Sequence, residues 1–162
     1  MITKSKSQTQ KLAAKLAKKI INAKRLTLNA RVIALQGELG AGKTAFVQGF
    51  LKALGITQHA TSPTFVIFRK YKIAPKRSNA LPAGRQITAE RFFVYHFDLY
   101  RIHGPKEILD LGFKKIIKDP HNIVLIEWPE KVKKILPKNM IWIKFEHGKN
   151  EKERIIKVIK NL

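Results

Sequence analysis

Residues 32–44, Val-Ile-Ala-Leu-Gln-Gly-Glu-Leu-Gly-Ala-Gly-Lys-Thr, leave a chain few ways to fold. Val32, Ile33, Ala34 and Leu35 form a short apolar run of the kind that makes a buried parallel strand. Gly37 to Thr44 then match G-x-x-x-x-G-K-[ST], a phosphate-binding loop. Its glycines let the backbone curl so that successive N–H groups converge on one concavity, where a polyphosphate can sit. Phe46, Val47, Phe50, Leu51 and Leu54 follow at helical spacing, and the positive end of that helix dipole aims at the same place. Lys43 can reach β- and γ-phosphates, and the Thr44 hydroxyl can ligate Mg²⁺. The bland alternative is a plain glycine turn between strand and helix. The order strand, loop, helix favours the nucleotide reading.

At 162 residues the chain is expected to form a single domain, 1–162, long enough for a substantial core. No run of 18 apolar residues predicts a membrane span, and the N-terminus has no apolar segment of the signal-peptide kind. The absence of cysteine excludes disulfides and thiolate metal sites. The expectation is a soluble cytoplasmic protein that does not engage a membrane. The formal charge of +22 favours contact with polyanions such as RNA, although a lysine-rich proteome would give the same surface. With only 11 carboxylates in the chain, any that follows an apolar strand becomes a candidate for chemistry.

Residues 1–7 read as frayed. Thr9 is placed to cap a helix running to about Lys24, with Leu12, Leu16 and Ile20 on its apolar face. The helix after the glycine loop should end near Gly55. Thr61-Ser62-Pro63-Thr64-Phe65 is a polar loop entering a β-rich run, Phe65 to Ile73. It could approach the γ-phosphate as switch loops do, or simply lead into the strand. Residues 74–91 read as a long, basic exposed loop or insertion. Phe92 to Phe97 is the next strand, and Asp98 stands at its end. Pro105 and Glu107 start a short helix, which Gly112 ends. Ile123 to Ile126 is the most apolar strand and belongs centrally in the sheet. Glu127 follows it directly, and Pro129 opens a short helix to about Leu136. Met140 to Glu146 and Arg154 to Ile159 flank a polar turn and read as an antiparallel hairpin.

Ligands of open α/β sheets bind beyond the carboxyl ends of the strands. Asp98 and Glu127 both stand there, and either could hold Mg²⁺ or orient a water. Spacing does not separate their roles. His96 and His121 have no partners at metal-ligand spacing and read as structural. Trp128 can pack beside the site or in the core.

The motifs Gly37-Glu38-Leu39-Gly40-Ala41-Gly42-Lys43-Thr44, Thr61-Ser62-Pro63-Thr64-Phe65, Tyr95-His96-Phe97-Asp98-Leu99-Tyr100-Arg101, Glu107-Ile108-Leu109-Asp110-Leu111-Gly112 and Leu125-Ile126-Glu127-Trp128-Pro129-Glu130 occur in order. Together they resemble the TsaE (YjeE) family of small bacterial P-loop ATPases, which support threonylcarbamoyladenosine modification of tRNA. The resemblance spans most of residues 9–137. It implies that Lys43 and the amides of residues 37–44 hold the phosphates of ATP, and that Thr44 and Glu127 ligate Mg²⁺. It implies Asp98 as the base or water-orienting residue, with a direct metal role as the alternative. Ser62 and Thr64 would belong to a switch-like loop, Trp128 would sit beside the site, and Thr9 would lie near the adenine end. The implied partners are the TsaD–TsaB pair, with tRNA engaged indirectly or through the basic surface. The implied ATPase is weak without those partners.

Three departures accompany the resemblance. Ala45 stands where the family usually has a second threonine, which removes a hydroxyl near the α-phosphate. The 74–91 segment is longer than usual and basic, and the net charge is also unusual. The expected fold is an α/β, P-loop NTPase-like domain, with a mostly parallel sheet flanked by helices and a C-terminal antiparallel hairpin. Two other functions compete. A small-molecule P-loop kinase would need an acceptor pocket. A basic RNA-binding module without catalysis would need Gly-rich or aromatic-rich RNA motifs, and these are not seen.

Overall fold

A computed structural model describes residues 1–23, 29–57, 66–73 and 92–160. Strands β1 (Ile2–Thr3), β2 (Arg31–Gln36), β3 (Phe68–Lys72), β4 (Phe93–Asp98), β5 (Asn122–Glu127), β6 (Ile141–His147) and β7 (Arg154–Lys160) form one sheet in the order β1-β7-β6-β2-β5-β4-β3. The four inner strands β6, β2, β5 and β4 run parallel. Both edges are antiparallel: β3 pairs with β4, β7 with β6, and β1 with β7. The sheet is therefore mixed, with the expected parallel centre and C-terminal hairpin and two further antiparallel edge strands.

Period-2 alternation sends the inner strands' side chains into two cores. Ile33, Leu35, Ile123, Leu125 and Ile143 face helices α1 (Lys6–Ile21) and α2 (Lys43–Ala53). Val32, Ala34, Val124, Ile126 and Phe97 face α3 (Pro105–Asp110), α4 (Phe113–Lys118) and a 3₁₀ helix at Pro129–Ile135. Burial on both faces is what the continuous apolar runs of β2 and β5 require. β5 lies between β2 and β4 with all six residues buried, while β2 holds the middle position. The turn between α3 and α4 is made by Gly112 at φ 81°, the left-handed conformation that glycine adopts without a Cβ penalty.

Three local expectations need correction. Residues 1–7 are not frayed: Ile2–Thr3 pairs with β7, whose outer edge offers unpaired backbone groups, and the Thr3 hydroxyl lies 2.9 Å from that of Thr9. The cap of α1 is Ser5, whose side chain accepts from the Gln8 N–H at 3.2 Å, and the helix ends at Ile21. Thr9 lies buried within the helix, 2% exposed. The buried face of α1 is Thr9, Ala13, Ala17 and Ile20, with Leu12 and Leu16 only partly covered.

Small residues win that face because α1 lies hard against α2. A Cβ built on Gly49 of α2 would stand 2.5 Å from both the Cα and the carbonyl oxygen of Gln10. Gly49→Ala must therefore push two helices apart. It is expected to cost about 1–3 kcal/mol, the usual range for an overpacked core. Chemical denaturation of the two proteins checks this, and an unchanged midpoint would mean that α1 gives way freely.

The switch-like loop with Ser62 and Thr64 and the 74–91 segment lie outside the described residues. No helix among the described residues is long and apolar enough to cross a membrane.

Candidate nucleotide site

The glycine loop follows β2 and leads directly into α2 at Lys43. Gly37 is demanded by space. Its φ is 155°, and an added Cβ would meet the carbonyl oxygen of Phe145 in β6 at 2.5 Å. Gly40 and Gly42 adopt φ values of 74° and 101°, which reverse the loop so that α2 starts beneath it. Ala41 turns its methyl into the α1–α2 core. Glu38 and Leu39 are exposed, Leu39 to 73%. On the outer side of the loop, Arg154 donates from Nε and Nη2 to the Gly40 carbonyl at 3.2 and 3.0 Å.

The two strand-end acids meet the loop through strand register. In the parallel β4–β5 pair Asp98 stands opposite Glu127, and Leu35 stands opposite Glu127 in the β2–β5 pair. Both acids alternate onto the α2 face. Glu127 is 2% and Asp98 6% exposed. The Thr44 hydroxyl donates to Glu127 Oε2 at 3.1 Å, with Oε1 at 3.4 Å. The Asp98 Oδ1 accepts the Tyr100 N–H at 3.1 Å. Lys43, also buried, donates from Nζ to the carbonyls of Gly37 at 2.6 Å and Glu38 at 2.8 Å. Burial pushes the Lys43 ammonium below the usual lysine range, while Glu127, Glu130, Asp98 and Glu38 pull it back up.

Trp128 completes the site. Its backbone sits at φ 60°, a left-handed conformation that is strained for a residue with a side chain, directly after Glu127. That turn lays its ring 4.0 Å from Lys43 Nζ, with Tyr100 packed on it at a centroid distance of 5.1 Å.

Leu39, Gly40, Gly42, Lys43, Thr44, Ala45, Asp98, Tyr100, Glu127 and Trp128 line one cleft of ≈ 320 Å³. A second cleft of ≈ 380 Å³ shares Gly40, Gly42 and Ala45 with it and extends over Ser5, Lys6, Thr9 and Arg154. Thr9 thus lies at the far side of the glycine loop from Asp98 and Glu127. The candidates drawn from the sequence gather around one loop, apart from Ser62 and Thr64, which lie outside the described residues.

The donor set suits a hard divalent cation. Thr44 and Glu127 present a hydroxyl and a carboxylate within hydrogen-bond reach of each other, with Asp98 in register beside them. Among the described residues no group of three His, Cys, Asp or Glu could hold a metal ion alone. A cation here would draw its remaining ligands from phosphate and water, as Mg²⁺ commonly does.

The model of the family described as "Threonylcarbamoyl adenosine biosynthesis protein TsaE" matches residues 3–156. The chain belongs to the TsaE family. A TsaE protein of Rickettsia conorii is 34% identical over 158 residues, covering 97% of this chain and 75% of that protein. The TsaE protein of Bacillus subtilis is 34% identical over 123 residues, 75% of this chain and 66% of its own length. The crystal structure of Bacillus subtilis YdiB superposes with a TM-score of 0.66 at 25% identity, covering all of this chain and 84% of that one. The α/β, P-loop NTPase-like architecture expected from the sequence is the one observed.

Within this TsaE-family site, sequence reasoning missed three contributors. His96, structural by its sequence spacing, lies 2.9 Å from Glu127. A signal existed: His96 and Asp98 alternate onto one face of β4. Tyr100 follows Asp98 by two residues and covers Trp128. Arg154 reaches Gly40 from 114 residues away, and nothing local announces it.

Proposed function

We propose that this chain binds Mg-ATP and hydrolyses it in support of threonylcarbamoyladenosine modification of tRNA, working with the TsaD–TsaB pair in the cytoplasm. The observation that carries the reading is the convergence of Lys43, Thr44, Glu127 and Asp98 in one cleft at the C-terminal ends of β2, β5 and β4. Family membership supplies the modification pathway.

Catalysis of phosphoryl transfer is mostly positioning and charge stabilisation. The loop amides of residues 37–44 and the Lys43 ammonium take the β- and γ-phosphates. Thr44 and Glu127 would hold Mg²⁺, which when bound neutralises charge on the phosphate oxygens. Asp98, buried and fixed by the Tyr100 N–H, orients or deprotonates the attacking water. Trp128 and Tyr100 exclude bulk water from the ammonium side. The second cleft, with Thr9 on its floor, takes the adenosine end. Ala45 lines both clefts and offers no hydroxyl to the α-phosphate. The exposed lysines of α1, in a stretch with no acid before Glu38, give an electrostatic route to tRNA.

Steady-state ATP hydrolysis, measured with Mg²⁺ or excess EDTA and with or without the TsaD–TsaB pair, tests the reading. The expected result is slow metal-dependent turnover that rises when the pair is added. Nucleotide binding with no turnover under any condition would leave a nucleotide-controlled switch in place of an ATPase.

A further inference from the structure

Among the described residues, His96 is the one imidazole drawn into the cleft's acids. It sits within β4, 0% exposed, on the same face as Asp98. Its Nε2 lies 2.9 Å from Glu127 Oε1. An ionised carboxylate only accepts, so Nε2 carries the hydrogen and donates. Its Nδ1 is buried without a hydrogen-bond partner among the described residues.

The two oxygens of Glu127 are in this way made unequal. Oε1 is tied to the floor of the sheet by His96, and Oε2 is the one nearer the Thr44 hydroxyl at 3.1 Å. A carboxylate on a single-bonded stem can rotate. One fixed oxygen on a neighbouring strand removes that freedom and leaves the other facing α2.

Resting on the Mg-nucleotide reading of the site, we infer that His96 is a positioning residue: its Nε2–H fixes the carboxylate of Glu127 so that Oε2 and the Thr44 hydroxyl form a ready-made divalent-cation seat. A core histidine that merely satisfied its own polarity would give the protein stability and nothing else. A positioning histidine sets the cation dependence of nucleotide binding. Hydrogen bonds to ligating groups typically govern affinity for the metal by about 10–100-fold.

The test is the affinity for a fluorescent ADP analogue, measured in excess EDTA and then across a Mg²⁺ titration, with thermal unfolding run in parallel. His96→Leu removes the donor. His96→Gln keeps an amide N–H at about the reach of Nε2, and His96→Asn holds the same amide one bond short. The expected result is that His96→Leu binds the analogue in EDTA within about twofold of wild type but needs about tenfold or more Mg²⁺ for half-saturation. His96→Gln recovers most of that loss and His96→Asn does not. Should the leucine variant fail to fold, the Gln and Asn pair carries the comparison alone. A Mg²⁺ midpoint that is the same in all folded variants, whatever their unfolding temperatures, would overturn the inference and leave His96 a packing residue. A wild-type protein whose analogue binding ignores Mg²⁺ would overturn the Mg-nucleotide reading itself, and the inference with it.

Discussion

Lys43→Ala is expected to lower ATP turnover by about 10²–10³-fold and to strip away most nucleotide affinity. The range is that seen when one preorganised donor is removed from a developing anion. Two features set the size of the effect. The ammonium is buried, so its interactions with phosphate are weakly screened. It also sits among Glu127, Glu130, Asp98 and Glu38, the acids that raise its proton affinity. Without it a polyphosphate would enter a cleft whose remaining charged side chains include carboxylates at 98 and 127. The fold should survive, because Gly37 is half-buried and Glu38 exposed, so water can take over the carbonyls that Lys43 now occupies. Isothermal titration with ATP and steady-state turnover check the result. Turnover like that of wild type would sink the phosphate-binding role of the loop.

Asp98→Asn separates chemistry from binding. Turnover is expected to fall by about 10²–10⁴-fold, the usual worth of a positioned general base. Affinity for Mg-ADP should stay within a few-fold, because the amide oxygen can still accept the Tyr100 N–H and keep the strand end in place. The same titration in EDTA and in Mg²⁺ distinguishes the two acids. Loss of metal-dependent binding in Asp98→Asn would exchange the roles given to Asp98 and Glu127.

What the sequence disclosed about this site depended on how local each cause is. The glycine loop is legible because three left-handed or crowded backbone positions must fall at fixed offsets between a strand and a helix. Asp98 and Glu127 are legible because an acid directly after a buried apolar run has few places to go but the strand tip. Their division of labour is not legible, since register alone puts them side by side. β1 escaped notice because two residues carry no periodicity, and their partner lies in β7 at Arg154 and Ile155. Leu12, Leu16 and Ile20 of α1 pack on the core as expected, but its most buried positions go to Thr9, Ala13 and Ala17, because a helix lying hard against α2 favours small volume over hydrophobicity. His96 and Arg154 act through partners brought near only by the finished sheet and hairpin, which composition cannot foresee.

The strained turn after Glu127 has a practical side. The chain has two tryptophans. Trp142 lies in the core on the α3 and α4 side and donates from Nε1 to Gln36 at 2.9 Å, whereas Trp128, at the margin of that same core, lies against the Lys43 ammonium and the Tyr100 ring in the cleft. Anything that draws Lys43 away or fills the cleft changes the electric field and the polarity around Trp128 directly, whereas Trp142 lines no part of that cleft. The protein thus carries a built-in optical gauge of its own occupancy. With Trp142→Phe that gauge becomes a single emitter, read without any label attached to protein or ligand.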